Sequence, residues 1–165
     1  MTVRAGELSA ISVLVPERMT AATLTVTTTG RGFVDITAGV RDFVGRSGAG
    51  DGIVFLFVRH TSCSLVIQEN ADPDVRSDLV SALDRLAPAG AGWIHDAEGP
   101  DDMPAHVKTM LTGVSLHVPV ASGAPGLGVW QGIYLAEHRT RPHRREVMLH
   151  YAGTGRAAAG AVRER

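Results

Sequence analysis

Polar side chains capable of chemistry gather at four places in this 165-residue chain, each where an apolar run breaks or a helix begins. The first is Arg59-His60-Thr61-Ser62-Cys63-Ser64, between two apolar segments. Hydroxyls and backbone N–H groups clustered at a bend can each donate a hydrogen bond to a phosphate oxygen, which makes Thr61 and Ser62 candidate anion ligands. A Ser/Thr turn closing a hairpin would use the same residues without a ligand. The second place is Gln68-Glu69-Asn70-Ala71-Asp72-Pro73. Helix capping accounts for Asp72, whereas Glu69 and Asn70 have no such structural use and read as one wall of a site.

Histidines mark the third place. His95 precedes Gly99-Pro100-Asp101-Asp102-Met103-Pro104-Ala105-His106. With Asp102 as a helix cap, His106 lies one turn in and faces back toward the loop that carries His95. Two imidazoles brought together by one loop–helix unit form half of a zinc or other divalent site, and a third N or O ligand would leave an open, catalytic position. The spacing is not that of a zinc finger, and a chain whose one cysteine is Cys63 cannot build a cysteine-rich structural zinc. A pair of half-exposed loop histidines is the plainer account of the same residues.

The fourth place is Gly128-Val129-Trp130-Gln131-Gly132-Ile133-Tyr134-Leu135-Ala136-Glu137-His138-Arg139. Alternation puts Gln131 and Glu137 on one strand face with Val129, Ile133 and Leu135. A carboxylate on an apolar face is costly unless paired, so Glu137 calls for an arginine, a histidinium or a metal beside it. If the strand ends earlier, Glu137 is simply exposed. The basic run from His138 to Arg145 reads as a solvated hairpin turn from which one arginine, Arg144, reaches the site. It lacks the interleaved aromatic residues of a nucleic-acid stripe.

The elements that must position these groups follow from periodicity and end signals. Strands are expected over 21–28, 53–58, 63–67, 114–120, 127–138 and 145–151, with 53–58 (IVFLFV) apolar on both faces and therefore central and fully buried. Gly30 and Gly32 read as a turn. Asp35 is placed to cap a short helix with an apolar stripe of Ile36, Val40, Phe43 and Val44. Asp72 and Pro73 open a second helix carrying Val75, Leu79, Leu83 and Leu86, and a third runs from Met103 to Leu111 with Gly113 beyond it. Strands outnumber helices and short polar links join them, so the fold class is α+β: a compact sandwich of mostly antiparallel β-sheet with a few helices packed on it.

Composition bounds the rest. A net charge of −1 gives no electrostatic reason for a nucleic-acid or anionic-membrane partner. Apolar runs fall short of a membrane helix, the N-terminus shows no secretory h-region, and the lone cysteine suits a reducing compartment, so a cytoplasmic location is expected.

Four blocks, HTSCSL at 60–65, QENADPDV at 68–75, GPDDMPAH at 99–106 and GVWQGIYLAEHR at 128–139, resemble the signature blocks of the YjbQ family and occur in the family's order. The likeness runs from about Leu24 to Gly153. It implies a compact α/β sandwich that assembles as a homotrimer with a pocket near the subunit contacts. Carried over, that pocket takes in His60, Thr61, Ser62, Glu69, Asn70, His95, Asp101, Asp102, His106, Gln131 and Glu137. Residues 1–153 then form a single YjbQ-like domain and 154–165 a flexible C-terminal tail. Cys63 stands where relatives often carry a small residue and reads as packing.

The resemblance also implies a thiamine-phosphate synthase side activity, joining hydroxymethylpyrimidine diphosphate to a thiazole phosphate. Such a reaction needs a clamp for the leaving pyrophosphate, usually a divalent ion with basic residues. In that light His95, His106 and Glu137 are the expected ligands of an ion, zinc or magnesium. Thr61, Ser62, Glu69, Asn70, Gln131 and Arg144 are the expected substrate contacts, and His60, Asp102, His106 and Glu137 the catalytic groups. With no P-loop and no aspartate-rich diphosphate motif, thiamine phosphate synthesis is expected to be secondary. The leading expectation is an enzyme acting on a small anionic or phosphorylated metabolite. A metal-dependent hydrolase with Glu137 or Asp102 as base, and a non-catalytic metabolite-binding trimer, are the alternatives.

Overall fold

The computed structural model describes residues 9–156. Residues 1–8, expected to carry no secretory segment, and 157–165, the larger part of the expected tail, lie outside the described residues. The chain forms β1 (Arg18–Thr27), β2 (Gly32–Asp35), α1 (Thr37–Arg46), β3 (Ala49–Val58), β4 (Cys63–Glu69), α2 (Pro73–Leu86), α3 (Asp102–Thr112), β5 (Ser115–Ala121), β6 (Ala124–Pro125), β7 (Gln131–Glu137) and β8 (Arg144–Gly155). Two antiparallel sheets result, one of five strands in the order β1-β8-β3-β5-β6 and one of three in the order β2-β7-β4. Their inner faces, with the apolar stripe of α1, form one core that includes Val40, Val44, Val54, Leu56, Leu65, Leu135, Val147 and Leu149. The α+β sandwich expected from the sequence is the fold.

Local chemistry sets the helix starts. Asp35 Oδ1 accepts the Thr37 N–H at 2.8 Å at the head of α1. Asp72 sits in an extended conformation before Pro73 and accepts the Asp74 N–H at 2.8 Å, so an otherwise orphaned donor of α2 is satisfied. Asp72→Ala should therefore lower stability by about 1 kcal/mol. The urea midpoint should fall with the slope unchanged, and an unaltered midpoint would count against the cap.

Three differences from expectation have physical reasons. The turn at Gly30 and Gly32 ends sooner than the glycines suggest, and Gly32–Asp35 pairs with β7 as a short edge strand. β3 is central, between β8 and β5, but only one of its faces is covered: Phe55 and Phe57 are 38% and 46% exposed. The doubly buried strand is β7, whose residues 132–137 are all buried. The three-stranded sheet has the core on one side and α2 and α3 on the other, so β7 meets apolar surface in both directions. Finally, the basic run 138–145 is not a hairpin turn. It carries the chain from β7 in one sheet to β8 in the other.

β8 continues to Gly155, two residues past the expected domain end at 153. Among the described residues no helix is long and apolar enough to cross a membrane.

Candidate active site

Helix α3 and the chain before it build the most concentrated cluster of ionisable groups. Asp102 is the first residue of α3 rather than its cap; Asp101 holds the cap position and makes no side-chain cap bond. Both carboxylates have other partners. Asp101 Oδ2 accepts the backbone N–H of Thr140 at 2.7 Å and its hydroxyl at 2.9 Å. Asp102, 2% exposed, places Oδ2 at 2.7 Å from His95 Nε2 and 3.3 Å from His106 Nε2, while Oδ1 takes the Arg139 guanidinium. Burial works against ionisation of Asp102, but the His95 hydrogen bond and the Arg139 and His106 charges more than offset it, so its pKa lies below the ordinary carboxylate value.

His106 follows Asp102 by one helical turn, and its Nδ1–H donates to the Thr61 carbonyl at 2.9 Å. A carbonyl can only accept, so a neutral His106 carries its lone pair on Nε2, aimed at an anionic oxygen. Two electron-rich atoms 3.3 Å apart need a proton or a cation between them. These residues fit a divalent ion. The ligand atoms of His95, Asp102 and His106 lie within 4.8 Å of one another. One imidazole is oriented by a backbone carbonyl and the carboxylate's second oxygen by an arginine, as outer partners of metal ligands commonly do. The side chains of His95 and His106 are 49% and 33% exposed, which leaves room for a further ligand.

Glu137 is not the third ligand. Its Oε2 accepts from Arg145 Nε at 2.7 Å and Thr28 Oγ1 at 3.0 Å, and its Oε1 from Arg145 Nη2 at 2.7 Å and the Arg139 N–H at 3.0 Å. Two donors on each oxygen saturate a carboxylate, so Glu137 has none free to bind an ion or to take a proton as a base. Alternation along 131–137 does set it on the core face with Ile133 and Leu135, and the cation it requires is an arginine. That arginine is Arg145, 2% exposed, and not Arg144. Successive residues of β8 face opposite ways, and Arg144 lies on the outside with Glu146 at 3.1 Å and Thr25 at 3.2 Å.

The HTSCSL block sits beside this pair. Ser62 is 2% exposed and its hydroxyl lies 3.0 Å from His60 Nδ1 and 3.2 Å from Arg145 Nη2. It is therefore committed internally rather than offered to phosphate, whereas His60 and Thr61 are exposed. Burial, then the Arg145 charge, hold His60 below its ordinary pKa. Cys63 is buried, and burial pushes its thiol up to about 11, in keeping with packing rather than nucleophilic use.

Glu69, Asn70 and Gln131 do not join the histidines within one copy. Strand pairing puts Glu69 opposite Gln131 and Cys63 opposite Glu137, so the two groups stand at opposite ends of the β4–β7 ladder, about 20 Å apart. Each also has a local use. Glu69 Oε1 accepts the N–H groups of Ala71 and Asp72 at 3.2 and 3.1 Å, Asn70 donates to the carbonyls of Val129 and Gln131 at 3.1 and 3.2 Å, and Gln131 accepts the Gly128 N–H at 2.8 Å.

The residues that sequence reasoning missed are Arg139, Arg145 and the buried pair His138–Ser64, 2.9 Å apart. Burial, then the Lys108 charge, lower His138 to about 4, so it is a neutral hydrogen-bonding group. The need of Glu137 for a cation was the available signal for Arg145; nothing in the spacing distinguishes it from its neighbours in the basic run.

A sequence model of the family described as "UPF0047 protein YjbQ-like" matches residues 22–154. A UPF0047 protein of Synechocystis is 47% identical over 131 residues, covering 79% of this chain and 89% of the relative. The UPF0047 protein YjbQ of Salmonella typhimurium is 41% identical over 132 residues, with 79% and 96% covered. Among solved structures, a YjbQ/UPF0047 family protein of Clostridium acetobutylicum superposes with a TM-score of 0.74 at 36% identity, covering 79% of this chain and 98% of that one. A hypothetical protein of Aeropyrum pernix gives a TM-score of 0.76 at 29% identity, covering 82% and 99%.

Proposed function

The chain belongs to the YjbQ-like UPF0047 family, and from the residues of its site we propose an enzyme that holds a divalent cation on His95, Asp102 and His106 to act on a small anionic metabolite. The observation that carries this reading is the His106 Nε2 lone pair aimed at Asp102 Oδ2, with both outer partners already in place. Two imidazoles and one carboxylate favour zinc over magnesium, which prefers oxygen ligands and keeps much of its water. A bound cation of this kind supplies charge neutralisation for an anionic oxygen or leaving group.

The chain's own groups complete the pocket. Arg139 fixes Asp102 and, through a 2.7 Å bond to the Glu98 carbonyl, ties the loop before α3 to the start of the helix. Thr61 holds His106 through its carbonyl and presents its side chain to solvent. The thiamine-phosphate synthase reaction enters as a secondary activity on the strength of the family resemblance; release of pyrophosphate would draw on charge neutralisation by the cation. Glu69, Asn70 and Gln131 would join this pocket only across a subunit boundary. We place the contacts of a homotrimer on the open face of the five-stranded sheet, where Met19, Phe55 and Phe57 are exposed.

The test is metal content after incubation with zinc and exhaustive dialysis, for the wild type beside His95→Ala and His106→Ala. Near-stoichiometric zinc in the wild type, lost in both variants, is the expected result. A wild type that retains no zinc, magnesium or manganese overturns the cation, and unchanged content in both variants overturns the ligands.

A further inference from the structure

His60 is exposed, yet one of its ring nitrogens is committed inward. Nδ1 lies 3.2 Å from the Ser62 N–H and 3.0 Å from the Ser62 hydroxyl. A backbone N–H can only donate, so Nδ1 accepts and carries no proton. The hydroxyl is oriented as well. Arg145 Nη2 donates to Ser62 Oγ at 3.2 Å, and a guanidinium never accepts, so the single Ser62 proton is left to point at Nδ1. Arg145 is itself clamped by both oxygens of Glu137 at 2.7 Å. A neutral imidazole with a bare Nδ1 carries its proton on Nε2. Among the described residues no group bonds that nitrogen.

Resting on the reading of this pocket as a site for an anionic metabolite, we propose that Ser62, Arg145 and Glu137 are positioning residues. They hold His60 as an uncharged imidazole whose Nε2–H donates a hydrogen bond to an anionic oxygen of the substrate. The ring offers no lone pair to the pocket, so His60 is not a base toward the substrate. A second proton would have to sit on Nδ1, against the Ser62 N–H and hydroxyl. Of the charged and titratable groups around the ring, Arg145, His143 and His106 oppose that proton and Glu137 favours it. Burial, the largest influence, also opposes it. The buried Glu137–Arg145 pair thereby acquires a use beyond joining the sheets: it fixes the direction of one hydroxyl, and through it one tautomer.

The direct test is a long-range proton–nitrogen correlation spectrum of the histidine rings in 15N-labelled full-length protein, with the His60 signals identified by their loss in His60→Gln. Nδ1 should resonate as unprotonated and Nε2 as protonated at neutral pH, with the titration displaced below about 6.5, the ordinary histidine value. Ser62→Ala should mix the tautomers and move the titration back toward that value. A wild type in which Nδ1 carries the proton, or in which the tautomers are mixed, overturns the proposal.

The donor role is read separately from calorimetric binding of inorganic pyrophosphate. The amide of glutamine falls near the Nε2 position and that of asparagine near Nδ1. His60→Gln should thus bind almost as the wild type does, and His60→Asn about tenfold or more weakly, the worth of one hydrogen bond to a charged group. Equal affinities in the two variants overturn the donor role. A wild type that binds no pyrophosphate overturns the anionic-ligand reading of the pocket and the donor role with it, while the tautomer result is decided by the spectrum alone.

Discussion

Replacing Arg145 with methionine should destabilise the protein by about 3–5 kcal/mol, the range for removing one partner of a buried ion pair. Both partners are 2% exposed, and both Glu137 oxygens are 2.7 Å from the guanidinium. The pH dependence should also change sign. In the wild type, burial works against ionisation of Glu137, but the Arg145 hydrogen bonds, the Arg139 N–H, the Arg145 charge and Thr28 more than offset it. Its pKa is thus depressed on folding, and the stability it contributes is present above the unfolded value of about 4.3 and is lost as pH falls through the folded value. Without Arg145 the burial prevails and the folded pKa rises. The variant should then be relatively most stable below about pH 4.3 and weaken as pH climbs toward neutrality. Urea unfolding at several pH values decides this: parallel profiles for wild type and variant would remove the pair from the account. The double substitution Glu137→Gln with Arg145→Met should recover part of the loss, since no uncompensated charge remains.

Asp102→Asn should weaken zinc binding by about a hundredfold or more, beyond what loss of an outer partner costs. The amide keeps the shape of the carboxylate but not its charge: with its oxygen toward Arg139 its NH2 faces the ion, and the reverse orientation sets that NH2 against a guanidinium that only donates. Competition with a chromophoric chelator measures the affinity. An Asn variant that binds zinc as the wild type does would mean that Asp102 serves only to hold Arg139 and His95. The metal-free variant should also lose the Asp102 share of acid sensitivity. The depressed pKa of Asp102 contributes stability above about 3.9 that disappears as pH falls below it.

Much of this was legible in the amino-acid pattern. The Asp72-Pro73 start of α2 and the α1 stripe of Ile36, Val40, Phe43 and Val44 appear where capping and periodicity put them. The pairing of two histidines around α3 was readable because a helix turn fixes Asp102 and His106 on one face. What escaped was whatever depends on one sheet facing the other. Phe55 and Phe57 have the composition of a doubly buried strand, yet among the described residues their outer side stays partly exposed. Arg144 and Arg145 are equivalent in a one-dimensional reading, and only the register of β8 sends one to Glu137 and the other to solvent. Glu69 and Asn70 stand apart from the histidines within one copy, and the bonds that occupy them join backbone groups no motif displays.

The strand order has a consequence for biosynthesis. β8 is the last of the described strands to leave the ribosome, and it lies between β1 and β3. At about 5–20 residues per second, β1 waits roughly ten seconds for β8, its one sheet neighbour among the described residues. During that interval the nascent chain carries an uncharged run, Met19 to Thr27, whose ladder groups have no partner strand. The large sheet therefore cannot close around β1 until β8 has emerged. Until then β1 is an uncharged strand open to pairing with another chain, the hazard that an unpaired strand edge carries.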